Sequence, residues 1–153
     1  MSLAEINPDF RDLLLAFADG GVEFVIVGAY ALAMHGVPRT TGDIDVFVRA
    51  SRENAVRVVA ALDAFGAPLS ASGISAKDFE QLGMVYQIGL PPRRIDVLTS
   101  LSGISFDEAL VDKREELLDG RGVPFIGRDA FIKNKLATGR PQDLADVDRL
   151  KKA

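Results

Sequence analysis

The sequence predicts an α/β (α+β) fold in which a small mixed β-sheet is flanked by helices. Two observations carry that prediction. Short apolar runs of strand character, Phe24–Val27, Asp43–Val48, residues 84–88 and Arg94–Leu98, are separated by stretches whose apolar residues recur at helical spacing. Gly, Pro, Asn or Ser stands at most of the borders, where a turn or a helix cap is needed. The 153 residues suit a single domain, 1–153, with room for a proper core.

Composition narrows the classes. There is no cysteine, so neither a disulfide framework nor thiolate metal ligands are available. No apolar run approaches the ~20 residues that span a bilayer. Residues 1–8 lack the basic-then-apolar order of a signal peptide, so a cytoplasmic protein without membrane contact is expected. The net charge of −4 argues against a general nucleic-acid surface. Arg93-Arg94 and the group Lys133, Lys135, Arg140 are local basic residues that could receive an RNA end or a triphosphate, or simply be solvated.

Taken in order, Asn7-Pro8-Asp9 is a helix start: a capping side chain, proline in the first turn, then an acid. Phe10, Leu13, Leu14, Phe17 and Ala18 follow at helical spacing, and Gly20-Gly21 ends the helix. The buried strand Phe24–Val27 breaks at Gly28, where the backbone can turn tightly or let a ligand come close. Residues 29–35 hold good helix formers, and the first amides of that short helix would face the loop, a place for phosphate. Gly36-Val37-Pro38 ends it.

Asp43–Val48 is the second strand. Alternation places Asp43 and Asp45 on one face and Ile44, Val46 and Val48 on the other, in the core. Close like charges are costly without a cation between them, and Mg²⁺ commonly sits between carboxylates and substrate phosphates. Two solvated acids at a strand start are the plainer alternative.

Ser51 begins a helix with Ala55, Val58, Val59 and Leu62 on its apolar face. Residues 63–75 read as a connection with a short strand near Leu69, while 78–83 carries no clear signal. Residues 84–88 and Arg94–Leu98 form a hairpin through Pro91-Pro92. On the latter strand Asp96 projects with Arg94 and Leu98. If it lies beside Asp43–Val48, Asp96 completes a three-carboxylate face; otherwise it pairs with Arg94 or Arg39. Residues 106–111 are helical, and 115–118 with 123–126 form a second hairpin around Asp119-Gly120-Arg121-Gly122.

Residues 129–137 form a helix stopped by Gly139. At 100° per residue, Phe131, Ile132, Lys135 and Leu136 share one arc, with Lys133 and Asn134 outside it. Pro141 starts a last helix with a stripe of Leu144, Val147, Leu150 and Asp143. Lys135 and Asp143 on facing apolar stripes point to an ion pair; Asp143 at the helix N-terminus is the alternative.

At Gly28-Ala29, a thirteen-residue spacer, Asp43-Ile44-Asp45 and the later Asp96, the chain resembles the nucleotidyltransferase superfamily that includes DNA polymerase β. Ala29 departs from the family's usual Gly or Ser there. Arg39-Thr40-Thr41 is similar to small stand-alone bacterial members, among them toxins and antitoxins. The resemblance implies a nucleotidyltransferase-like fold and transfer of a nucleoside monophosphate from ATP or another triphosphate to a hydroxyl, with loss of pyrophosphate. It implies Asp43, Asp45 and Asp96 as catalytic residues holding one or two Mg²⁺ ions, with Mn²⁺ an alternative. It places Gly28, Ala29, Tyr30, Arg39, Thr40 and Lys135 at the nucleotide, although Tyr30 could instead fill space and Arg39 or Thr40 stabilise a loop. The acceptor, whether RNA, protein or small molecule, and any toxin–antitoxin partner are not written in the sequence.

Three rivals differ in chemistry. An aspartyl-phosphate phosphatase has Thr two residues after its Asp-x-Asp, where this chain has Phe47. A catalytically silent member of the same fold would act as a binding or antitoxin module. A metal-stabilised interaction domain would bind no nucleotide. His35, the one histidine, cannot build a multi-histidine site and reads as packing.

Overall fold

The computed structural model describes residues 3–39, 42–90 and 92–153. After a 3-10 turn at Leu3–Glu5 come α1 (Pro8–Asp19), β1 (Phe24–Val27), α2 (Gly28–Met34), β2 (Asp43–Val48) and α3 (Arg52–Phe65). Then follow α4 (Leu69–Ser72), α5 (Ala76–Phe79), β3 (Val85–Ile88), β4 (Arg94–Leu98) and α6 (Phe106–Leu110). The hairpin β5 (Arg114–Leu118) and β6 (Arg121–Phe125) leads into α7 (Arg128–Thr138) and α8 (Pro141–Lys152). Among the described residues no helix is long and apolar enough to cross a membrane.

The strands form one mixed sheet in the order β3-β4-β2-β1-β6-β5. β2 runs antiparallel to β1 and parallel to β4, and β6 runs parallel to β1. Both predicted hairpins form. The second turns on two residues rather than four: Asp119 and Gly120 both have positive φ, the geometry that suits strand twist, so β6 starts at Arg121.

The pleat sorts the side chains. Phe24, Ile26, Ile44, Val46, Val48 and Val97 are buried on one face. There Phe17 of α1 meets Phe24 edge-on at 5.6 Å and Phe79 of α5 meets Tyr86 at 6.2 Å. α3 packs between α1 and α5. Phe47 faces the other way and meets Phe106 of α6 at 5.2 Å. Asn54 of α3, fully buried, bonds the backbone of Glu23 (2.7 and 3.0 Å) and Arg49 (2.9 Å), tying the start of β1 to the end of β2.

Caps behave as the residue types require. The Asn7 side chain accepts from the amides of Asp9 and Phe10, and Ser51 accepts from that of Asn54. Leu69, expected in a short strand, opens the one-turn α4, whose stop at Gly73 needs a left-handed residue. α5, started by a capping box between Ser75 and Asp78, runs into the first residues of the ambiguous segment 78–83.

Candidate active site

The site is built where β1 ends. Gly28 opens α2 with φ +71°, a conformation that penalises any side chain. A Cβ there would also collide with the carboxylate of Asp45. Glycine is therefore required twice, once by the turn and once by the acid against it. Ala29 follows, half-buried, in the first turn of α2.

The parallel pairing of β2 and β4 sets Asp45 directly beside Asp96 and Asp43 beside Arg94. All four lie on the face opposite Ile44, Val46, Ile95 and Val97, so alternation and register together bring the three acids to one sheet edge, as expected. Arg94 lies across them. Its Nε donates to Asp96 Oδ1 (2.9 Å) and its Nη2 to Asp96 Oδ2 (3.2 Å) and Asp43 Oδ2 (3.4 Å). Asp96 thus lies beside Asp45 and pairs with Arg94 at once.

Asp45 is the acid left exposed to like charge. Burial, then the adjacent Asp96, then Asp43 push its carboxyl up to about 7, and Arg94 only partly offsets them. A group in this position is half protonated near neutral pH.

The donor set fits a hard divalent cation such as Mg²⁺ or Mn²⁺: three carboxylates, with repulsion at Asp45 that Arg94 offsets only in part. Yet among the described residues no three ligating side chains converge as a ready-made metal cage. Asp96 and Asp43 are instead engaged by Arg94.

A cleft of about 280 Å³ runs from Val27, Gly28 and Asp45 past Ser100 and Ser102 to Phe131, Lys135, Thr138, Arg140 and Asp143. Its far wall is an ionic network between α7 and α8. Lys135 is buried, as expected, and lies over the Phe131 ring at 5.0 Å. Its Nζ is 3.6 Å from Asp143 and 3.0 Å from Asp146. The anticipated Lys135–Asp143 pair exists, but Asp146, which sequence reasoning missed, is the shorter contact.

Arg39 makes a two-pronged pair with Asp146, one arm at 3.0 Å, so its guanidinium ties its loop to α8. Burial pushes the Asp146 carboxyl up, but bonds from Arg39 and Lys135 outweigh it and hold it below the usual range. Asp143 accepts from Arg140 (2.7 and 3.2 Å), lies 2.7 Å from the Thr138 hydroxyl, and is drawn down to about 2, chiefly by Arg140. Asp143 and Asp146, three apart on the face of Val147 and Leu150, were the available signal for this network.

Two further expectations are corrected. Leu136 and Leu144, assigned to buried stripes, are 51% and 46% exposed, whereas Asn134 is buried and donates to the Ser102 carbonyl at 2.9 Å. The α7–α8 seam is centred on satisfied polar residues, which shifts the buried arc.

Tyr30 does not line the cleft. Its ring meets Phe10 edge-on at 5.9 Å in a separate recess with Asn7, Gly42 and Arg93, which matches its space-filling alternative. Thr40 lies outside the described residues. His35 is packing: its Nε2 is 2.7 Å from the Ile126 carbonyl, and burial lowers its pKa. A larger hollow of about 440 Å³, at the other end of β1, is rimmed by charges already paired, Lys113 with Glu115 (3.2 Å) and Arg121 with Asp19 (2.5 Å).

The sheet order, the Gly28 turn and the aligned acids agree with what the resemblance to the nucleotidyltransferase superfamily implies for the fold. Comparison with solved structures agrees. A proposed nucleotidyltransferase of Thermotoga maritima superposes with a TM-score of 0.63 at 14% identity, over 99% of this chain and 96% of that one. The antibiotic-resistance factor ANT(2'')-Ia, in its solution structure, gives 0.58 at 16% identity over 93% and 80%. The lincosamide antibiotic adenylyltransferase LnuA, with lincomycin bound, gives 0.53 at 14% identity over 95% and 96%. No family model matches the chain, and no curated protein matches it in sequence. The chain has the nucleotidyltransferase fold.

Proposed function

We propose that this protein is a nucleotidyltransferase that moves a nucleoside monophosphate from a triphosphate to a hydroxyl acceptor. The observation that carries the reading is the side-by-side placement of Asp45 and Asp96, with Asp45 against Gly28 and at one end of the cleft. In the reaction the acceptor oxygen bonds to the α-phosphorus, the bond to the β-phosphate breaks, the hydroxyl proton is lost and pyrophosphate leaves. Asp43, Asp45 and Asp96 would hold Mg²⁺ or Mn²⁺; when bound, the ion supplies charge neutralisation at the phosphates. Asp45 and Asp96 are the groups placed to take the hydroxyl proton. Gly28 and Asp45 line one end of the cleft, and Lys135 and Arg140 line its far wall, where a triphosphate would find positive charge.

The acceptor is open to choice among RNA ends, a partner protein and small molecules. The solved complex of ANT(2'')-Ia with adenylyl-2''-tobramycin supports including hydroxylated antibiotics. Incubation with each α-labelled triphosphate, Mg²⁺ and either total RNA, cell extract or such compounds tests the proposal. Label transfer is expected, and it should disappear in the Asp43→Ala, Asp45→Ala double variant. A second reading, a silent binding or antitoxin module, is favoured by Arg94 lying across two of the acids and by Lys135 being held between Asp143 and Asp146. It predicts nucleotide binding with no transfer to any acceptor.

A further inference from the structure

We infer that Arg94 is a built-in counter-cation, so that divalent metal enters the acid face by displacing a guanidinium rather than by filling an open cage. The inference rests on the metal-binding part of the proposed function. Arg94 spans the very carboxylates an ion would need, both oxygens of Asp96 and one of Asp43, at 2.9, 3.2 and 3.4 Å. Its position is dictated by strand geometry. Two residues from Asp96 on β4, it shares that pleat face, and its register partner on β2 is Asp43. A planar guanidinium matches a carboxylate with two parallel bonds, so the contact is directional as well as charged. Its side chain remains 28% exposed, which leaves it a path to swing out of the face without unpacking the core.

Displacement has a chemical consequence. A divalent ion alone must break the Arg94 contacts to gain the carboxylates, and the released guanidinium gains only water. A metal that arrives with a polyphosphate brings the anion that the released guanidinium can bind. Metal and polyphosphate therefore bind this chain cooperatively, and Arg94 is the residue that couples them. Arg94 thus acts first on the carboxylates that would hold the ion and, once released, on the polyphosphate.

Calorimetry and Mn²⁺ electron paramagnetic resonance on the intact chain test this without any turnover. Mn²⁺ alone should bind Arg94→Met on the order of tenfold more tightly than the parent, since the Arg94 pairs with Asp96 and Asp43 no longer have to be broken. Inorganic triphosphate should tighten Mn²⁺ binding to the parent, and this enhancement should shrink in Arg94→Met. Arg94→Lys, which keeps the charge without the fork, should fall between, and it serves as the reading if Arg94→Met does not fold. Mn²⁺ binding that is equal or weaker in both variants overturns the inference and leaves the transferase reading intact. No Mn²⁺ binding by parent or variants overturns both.

Discussion

Replacing Asp45 by Asn should stabilise this protein in the absence of divalent metal, and only at neutral to alkaline pH. Asp45 titrates at 3.8 when unfolded and at about 7 when folded, pushed up by burial and by Asp96. The folded state therefore holds that proton more tightly, and stability is lost as pH rises from about 4 to about 7. At about 1.36 kcal/mol per pH unit, a gap of roughly three units costs the parent about 4 kcal/mol at pH 8 and almost nothing at pH 4. Asn keeps the shape and removes the charge. Urea unfolding in chelator at pH 4 and pH 8, on parent and Asp45→Asn, measures the difference. With a urea slope of about 1–3 kcal/mol per molar, the midpoint should rise by about 2 M at pH 8 and stay level at pH 4. Acid-sensitive pairs elsewhere, such as Arg140 with Asp143, are common to both proteins and cancel. A difference independent of pH, or a variant less stable at pH 8, would refute the placement of an uncompensated charge at Asp45.

Other perturbations probe the rest of the site. Gly28→Ala combines the left-handed penalty of about 1–2 kcal/mol with a collision at Asp45, so thermal unfolding should show a loss above 2 kcal/mol and Mn²⁺ affinity should fall. Asp146→Ala removes the carboxylate that Arg39 pairs with and leaves buried Lys135 only its longer contact with Asp143, so it should cost about 3–5 kcal/mol by denaturant unfolding, whereas Leu144→Gln on the same helix should change stability by less than about 0.5 kcal/mol. Asp143, drawn down to about 2, contributes stability that is complete above its unfolded value and lost as pH falls through about 2. Asp143→Asn should therefore flatten the acid limb of a pH–stability curve below pH 4.

Much of this fold could be read from residues whose role is local. Asn7 and Ser51 cap helices because their side chains reach amides two or three positions on, and β2 begins and ends where its alternation does. The acid face was legible because a period of two and a guess of adjacency suffice to align Asp43, Asp45 and Asp96. The misreadings have tertiary causes. Leu69 is one apolar anchor in a four-residue helix, too short to display a period. Leu136 and Leu144 satisfy an apolar stripe on paper, yet the buried positions go to Lys135, Asp143 and Asp146, joined in one ionic network, and to Asn134, satisfied by the Ser102 carbonyl. Arg39 could not be assigned because its partner, Asp146, lies 107 residues away.

The pleat of β2 and β4 divides labour in a way that bears on how such a protein changes over time. Ile44, Val46, Ile95 and Val97 anchor the two strands from beneath and never reach the cleft, while Asp43, Asp45, Arg94 and Asp96 line the opposite side. Exchanging a member of the upper set alters chemistry and leaves the scaffold standing. A slip of one position between the strands would instead bury acids among aliphatic side chains, so it is resisted from below. For the proposed transferase, loss of activity would thus be a short mutational step, and loss of shape a long one.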